Sequence, residues 1–280
     1  MIIFFFIFGL IVGSFLNSVI YRLEKKESII KLRSYCPHCK KTLSWFELIP
    51  LVSFLLQKGK CRHCKKPISW QYPLVELATG ILFVLVYNFS AQGGPAAGWQ
   101  FSIFNQFPIF NFQFLTYIIF WLFVVSCLAV IFVYDLKHYI IPNEIIYPAI
   151  VLALGFRILD LFRISDLGFR ILERLGPFIA AIAAGSFFLT IILVSKGKWM
   201  GMGDFKLAIF MGLILGWPKI LIALLGGFLI GAFVSIILII FKKKTLKSQI
   251  PFGPFLAGAA IVAIFWGDVL INWYFKLFLI

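Results

Sequence analysis

The stretch FLTYIIFWLFVVSCLAVIFVYD, residues 114–135, contains no charged side chain before Asp135. About 20 consecutive apolar residues are enough for a helix to cross the hydrocarbon core of a bilayer. The same character extends over the whole 280-residue chain, which is 62% hydrophobic and has a mean hydropathy of +1.01. Soluble domains are typically about 45–50% apolar. The sequence therefore predicts an all-α polytopic membrane protein.

Further apolar runs bring the expected number of transmembrane helices to about eight. The first run lacks the basic N-terminal region and the Ala-x-Ala cleavage site of a signal peptide, so we expect it to be retained as a helix. The sixth run is short and gives the weakest prediction of a span. The expected spans cover residues 1–20, 74–88, 114–134, 141–159, 177–195, 206–215, 220–241 and 255–275.

The distribution of Lys and Arg predicts how these helices are oriented. If the N-terminus lies outside, most basic residues fall in inner loops, including residues 22–66 and the run 242–247, whereas the loop 89–113 carries no charge. Cytoplasmic loops are enriched in Lys and Arg, so the large basic loop is expected in the cytoplasm. This topology, together with anionic lipid, accounts for the net charge of +15, and we expect no nucleic-acid partner.

The first inner loop contains two Cys-x-x-Cys pairs, CPHC and CRHC, about 20 residues apart. Paired knuckles of this kind suit tetrahedral coordination of a structural zinc ion by four thiolates. A redox dithiol pair and two disulfides are the alternatives, and a cytoplasmic location argues against stable disulfides. His38 and His63 are expected to face solvent, and Glu47 is expected to be solvated. The predicted ligands are Cys36, Cys39, Cys61 and Cys64.

The expected domain organisation follows from these features. Residues 1–20 form the first transmembrane helix, residues 21–72 a cytoplasmic zinc-binding module, and residues 73–280 a helical membrane domain. A closed four-thiolate site leaves no coordination position for water, so a catalytic role for the zinc is not expected.

Two of the eleven acidic residues stand at the cytoplasmic ends of predicted spans. Asp135 ends the third span, and Asp204 opens the sixth within GMGDFKL. Carboxylates near a membrane core are costly and often functional. Two of them close together can share a proton and activate water, as aspartic proteases do. Two other interpretations remain open: Asp204 caps a helix, or the pair binds ions in a zinc-containing channel or transporter.

Six motifs in order resemble the bacterial prepilin peptidases, the type IV leader peptidases of pilus and type II secretion systems. They are GSFLNSVIYR (13–22), the paired Cys-x-x-Cys, YPLVELATG (72–80), Asp135 with Pro142, GMGDFKL followed by GLILGWP (201–218), and IPFGPFLAG (250–258). The resemblance covers essentially the whole chain. One departure is Asn143, where many relatives have Asp.

The resemblance implies a Gly-x-Gly-Asp membrane aspartic protease of the bacterial inner membrane, with Asp135 and Asp204 as the catalytic residues. Its substrates would be type IV prepilins or pseudopilins, cleaved after a Gly on the cytoplasmic side. Members with the cysteine loop typically also methylate the new N-terminal amine with S-adenosylmethionine. This second activity rests on the resemblance alone.

Overall fold

The computed structural model describes residues 1–28, 33–91, 112–161, 171–241 and 250–278, and the regular elements within these ranges are helices, with two isolated β-bridges at the cysteine knuckles. A single 3-10 turn, Trp45–Leu48, precedes the short helix α2. The α-helices within these ranges are α1 (Ile2–Lys25), α2 (Val52–Leu56), α3 (Gln71–Ala91), α4 (Phe112–His138), α5 (Asn143–Leu161), α6 (Ile171–Ser195), α7 (Met202–Leu215), α8 (Lys219–Ile240) and α9 (Gly253–Phe278).

Each predicted span corresponds to one of the longer helices, but the count of eight spans is not confirmed. Within the described ranges, six helices are long and apolar enough to cross a membrane: α1, α3, α4, α6, α8 and α9. Helix α5 contains Glu144, Arg157 and Asp160. Helix α7 has 14 residues, which span about 21 Å and fall short of a hydrocarbon core of about 30 Å. The expected loop 89–113 and basic run 242–247 lie largely outside the described residues.

Contacts divide the chain into two compact units, residues Met1–Val130 and Ile131–Ile280. In the first unit, α1 packs against α3 through glycines. A Cβ added at Gly9 would lie 2.7 Å from Gly80 Cα, and one added at Gly13 would lie 2.7 Å from Glu76 Cα. Small residues four apart let the backbones of two membrane helices approach closely. Side chains at either position would force α1 away from α3.

In the second unit, α7 packs against α5, α6, α8 and α9. A Cβ at Gly212 would overlap Ala181 of α6, so α6 and α7 are in backbone contact there. At the end of α7, Arg157 of α5 donates to the carbonyls of Leu213 (2.8 Å) and Ile214 (2.9 Å). The last carbonyls of a helix lack hydrogen-bond donors within the helix, and the Arg157 guanidinium provides donors for two of them in α7. Helix α7 is therefore held on several sides by protein.

Candidate active site and metal centre

The first predicted catalytic residue, Asp135, lies in the last turn of α4 and is 4% exposed. The backbone N–H of Gly253, the first residue of α9, donates to its carboxylate. A Cβ added at Gly253 would lie 2.5 Å from Asp135 Oδ2, closer than real Cβ contacts allow. The absence of a side chain at residue 253 therefore lets the start of α9 reach the Asp135 carboxylate.

The second predicted catalytic residue, Asp204, lies in the first turn of α7 and is partly buried. The N-cap of this helix is Gly201, and the Gly201 N–H donates to the Asp204 carboxylate. This contact resembles the half of a capping box in which the third helical residue bonds back to the N-cap. The capping interpretation of Asp204 thus describes a real contact, which also holds the carboxylate at the entrance of α7.

The structure brings Asp135 and Asp204 together within the second unit. Ile141, which is buried, lies between the glycines that accompany them. Its Cβ is 3.1 Å from the position of a Cβ on Gly203, and its Cδ1 is 3.3 Å from that of a Cβ on Gly253. The Asp135 carboxylate acts electrostatically on Asp204. The end of α4 and the beginning of α7 therefore present two carboxylates to one region.

Lys206, two residues after Asp204, joins α7 to α5. Lys206 Nζ donates to Asn143 Oδ1 at 2.7 Å and lies 4.5 Å from the centre of the Tyr147 ring. Asn143 stands where the resemblance leads one to expect Asp. The amide oxygen accepts a hydrogen bond from Lys206 and so joins α5 to α7 without contributing a negative charge.

The four predicted metal ligands also lie together, in the first unit. The Sγ atoms of Cys36, Cys39, Cys61 and Cys64 all lie within 4.8 Å of one another, and those of Cys36 and Cys64 are 3.9 Å apart. Tetrahedral zinc with Zn–S bonds of about 2.3 Å requires sulfur atoms roughly 3.8 Å apart. The four cysteines are free thiols. This donor set fits a metal ion that prefers thiolates.

The two knuckles have the same backbone geometry. In the first, the Cys36 N–H donates to Lys41 O and the Lys40 N–H to Cys36 O; in the second, the Cys61 N–H donates to Lys66 O and the Lys65 N–H to Cys61 O. Lys40 and Lys65 both have φ of 59°. Such turns aim backbone N–H groups at the sulfur atoms. The N–H of Cys64 lowers the pKa of Cys61 to about 7, whereas burial raises the pKa of Cys36 to about 11.

Comparison with known proteins shows the family of this chain. Residues 7–89 match the bacterial Peptidase A24 N-terminal domain, and residues 122–236 match the type IV leader peptidase family. The chain belongs to the type IV leader peptidase family. Its relatives include proteins named prepilin leader peptidase/N-methyltransferase. That of Aeromonas hydrophila is 33% identical, covering 98% of this chain and 93% of the relative.

Two further relatives with the same name extend the comparison. The Bacillus subtilis protein is 33% identical, over 97% of each chain, and the Legionella pneumophila protein is 31% identical, over 96% of this chain and 92% of the relative. No solved structure matches the chain significantly. The family resemblance predicted from the motifs is confirmed.

Glu47, expected to be solvated, is instead 7% exposed, and that prediction is wrong. Its Oε2 accepts the Ser44 N–H at 2.9 Å in a capping box, and its Oε1 lies 3.6 Å from His63 Nε2. The spacing Ser44-x-x-Glu47 is the signal that could have revealed it. His38 and His63 are exposed, as expected. Glu47 thus joins the loop between the two knuckles to the second knuckle.

Glu76, for which the sequence suggests a packing or substrate-contact role, makes a structural contact with the loop between the knuckles. This residue of α3 is buried, and its Oε2 accepts the backbone N–H of Leu51 at 2.8 Å. Leu51 has φ of 58°, an unfavourable region for a residue with a branched side chain. The Glu76 carboxylate therefore stabilises a strained turn and ties the loop between the knuckles to α3.

Proposed function

We propose that this chain is a prepilin leader peptidase, an aspartic endopeptidase that cleaves the leader of type IV prepilins or pseudopilins after a Gly. The proposal is carried by one observation: Asp135 and Asp204, distant in sequence, converge in one compact unit, close enough to interact electrostatically. It is supported by family membership and by the names of the relatives. Neither supports the alternative of a channel or transporter that uses the two Asp residues as ion ligands.

The chemistry follows from two carboxyl groups that share a proton. One is ionised and removes a proton from a water molecule, whose oxygen attacks the carbonyl carbon of the scissile peptide. The other is protonated and donates its proton to the carbonyl oxygen. The tetrahedral intermediate then collapses, the C–N bond breaks, and the departing amine takes a proton from the pair. The proton belongs to the pair and is not assigned to either residue.

We also propose that the same protein methylates the new N-terminal amine with S-adenosylmethionine. The methyl group passes from the sulfonium to the amine nitrogen, with S-adenosylhomocysteine and a proton as the other products. The support for this activity is the second half of the name that the relatives share.

The proposed setting is the bacterial inner membrane, with the active site and the metal module on the cytoplasmic side. The distribution of Lys and Arg supports this orientation. We propose that residues 21–72 form a module with a structural zinc ion, held by Cys36, Cys39, Cys61 and Cys64, and that residues 73–280 form the peptidase domain. A small segment of this kind lacks a sizeable apolar core, so metal binding would provide free energy for its folding.

Leader removal by the purified full-length protein is the direct test. The protein is incubated with a prepilin in lipid nanodiscs, with and without labelled S-adenosylmethionine, and the products are analysed by mass spectrometry. The expected product begins at the residue after the Gly and is one methyl group heavier when the methyl donor is present. An uncleaved prepilin contradicts the peptidase proposal, and a cleaved but unmethylated product contradicts only the second activity.

Substitution of one knuckle cysteine is expected to remove the metal. Wild-type protein should contain about one zinc ion per chain, and Cys36→Ser should contain almost none, because three thiolates bind far more weakly than four and the module folds only around the ion. The measurement is elemental analysis of the purified proteins. Cys127→Ala is the matched control, since Cys127 is buried in α4 and lies outside the cysteine cluster. Full metal content in Cys36→Ser would contradict the ligand assignment.

A further inference from the structure

The segment between the two knuckles carries an apolar surface that the metal site does not use. Trp45 and Leu56 are each 79% exposed, Leu55 is 71% exposed, and Trp70 is 70% exposed. These four residues are called the apolar ridge. The 3-10 turn that holds Trp45 packs against α2, which holds Leu55 and Leu56, and Phe54 of α2 contacts the Trp70 ring at 5.1 Å between centroids. The segments that carry the ridge are therefore in contact with one another within the first unit.

The apolar ridge lies next to the beginning of a membrane-crossing helix. Trp70 immediately precedes Gln71, the first residue of α3, which is long and apolar enough to span a bilayer. The Leu51 N–H, one residue before α2, is bonded to Glu76 in the second turn of α3. Five residues of helix rise about 8 Å, so α2 is tied within about 8 Å of the start of α3. In a bilayer that α3 crosses, α2 would therefore lie near the membrane surface.

Two hydrogen bonds join the start of α3 to α1. Helix α1 is the candidate span that precedes the metal module in the chain. Asn17 Nδ2 donates to Tyr72 O at 3.0 Å, and Gln71 Nε2 donates to Asn17 Oδ1 at 3.3 Å. The beginning of α3 is thus joined to the C-terminal half of α1. The ridge is anchored to a pair of membrane-crossing helices at the point where both approach the membrane surface.

The charges of the module complement an anionic lipid surface. Within residues 33–70 of the described chain the one acidic side chain is Glu47, which is buried. The basic side chains of the same range are all exposed: Arg33, Lys40, Lys41, Lys58, Lys60, Arg62, Lys65 and Lys66. Basic residues beside exposed Trp and Leu are typical of segments that lie in the membrane interface, where Trp is enriched.

We propose that the apolar ridge inserts into the interface of the anionic leaflet from which α1 and α3 enter the membrane. Trp45, Leu55, Leu56 and Trp70 lie among the headgroups and upper acyl chains, and the surrounding Lys and Arg side chains contact lipid phosphates. The metal module is then an interfacial element fixed to the bilayer, with its cysteine knuckles held near the membrane surface. This inference concerns the first unit and does not depend on the proposed peptidase activity.

The depth of the tryptophans can be measured on the full-length protein. Fluorotryptophan is incorporated, the protein is placed in nanodiscs of phosphatidylcholine and phosphatidylglycerol, and fluorine NMR is recorded. Trp45→Phe and Trp70→Phe assign the two resonances, and Trp273→Phe assigns a reference on the exposed face of α9. A lipid carrying a nitroxide near its headgroup should broaden the Trp45 and Trp70 signals, whereas a water-soluble gadolinium chelate should leave them sharp.

The opposite pattern, with Trp45 broadened by gadolinium and unaffected by the lipid nitroxide, would overturn the proposal. So would protection of Trp45 from gadolinium only after a prepilin is added, since the ridge would then bind peptide. The double variant Leu55→Ser with Leu56→Ser should increase gadolinium broadening of Trp45 by about twofold or more while the metal content stays at wild-type level. Unchanged broadening in nanodiscs without phosphatidylglycerol would exclude the part of the proposal that concerns anionic lipid.

Discussion

Asn substituted at Asp135 or at Asp204 is expected to reduce leader cleavage by at least about 10³-fold, with the protein still folded. An amide has nearly the same shape as a carboxyl group but cannot accept the proton of the attacking water or hold the proton that the pair shares. Either change alone removes the function of the pair, so the double variant should be little worse than each single variant. Initial rates of prepilin cleavage in nanodiscs measure the effect.

The Asp160→Asn variant is the matched control for these two changes. Asp160 is an acidic residue near the end of α5, in the same unit as the pair. The end of α5 contacts the C-terminal end of α7 through Arg157, whereas Asp204 lies in the first turn of α7, so the Asp160 variant should cleave at nearly the wild-type rate. Cleavage at the wild-type rate by Asp135→Asn or by Asp204→Asn would show that the catalytic assignment is wrong.

A methyl group at residue 253 is expected to lower the turnover rate by about 10²-fold. In Gly253→Ala the new Cβ would lie 2.5 Å from Asp135 Oδ2 and 3.3 Å from Ile141 Cδ1, so the carboxylate has to move. The variant also strains the approach of the Gly253 N–H that donates to this carboxylate. A misplacement of about 1 Å in a catalytic group costs about 10²-fold in rate. Steady-state kinetics with a prepilin peptide separate this loss in kcat from a change in KM.

Gly258→Ala, in the same helix, distinguishes a local effect at the active site from a general cost of altering α9. A Cβ at Gly258 would meet Phe132 Cε2 at 3.7 Å, an ordinary van der Waals distance. This variant should keep wild-type turnover and wild-type thermal stability. If both alanine variants lose activity equally, the effect belongs to the packing of α9 and the role assigned to Gly253 fails.

The helices could be predicted from sequence because a run of apolar residues reveals a helix in a membrane without knowledge of its neighbours. The number of membrane-spanning helices could not be predicted in this way. Helix α7 is 14 residues long and is surrounded by α5, α6, α8 and α9, so its apolar character reflects burial in protein as much as contact with lipid. Hydropathy does not separate these two environments.

The sequence predicts the acids and the cysteines of the candidate sites, but not the residues that position them. The rarity of acids and their position at the ends of apolar runs make Asp135 and Asp204 candidates, and the family resemblance predicts them as the catalytic pair. The cysteines are predicted as ligands because their spacing suits one ion. Gly253, Ile141 and Glu76 act through contacts between distant segments, which a single sequence does not contain. Glu47 was misjudged because neighbouring lysines suggested solvent, whereas its partners are Ser44 and His63.

Ile141 fills the space between two backbone segments of the proposed active site. Its side chain lies between Gly203, which precedes Asp204, and Gly253, whose N–H donates to Asp135. Both glycines face this side chain so closely that a Cβ on either one would lie 3.1 to 3.3 Å from it. A smaller side chain at residue 141 is therefore expected to let the beginnings of α7 and α9 approach each other without altering any charge.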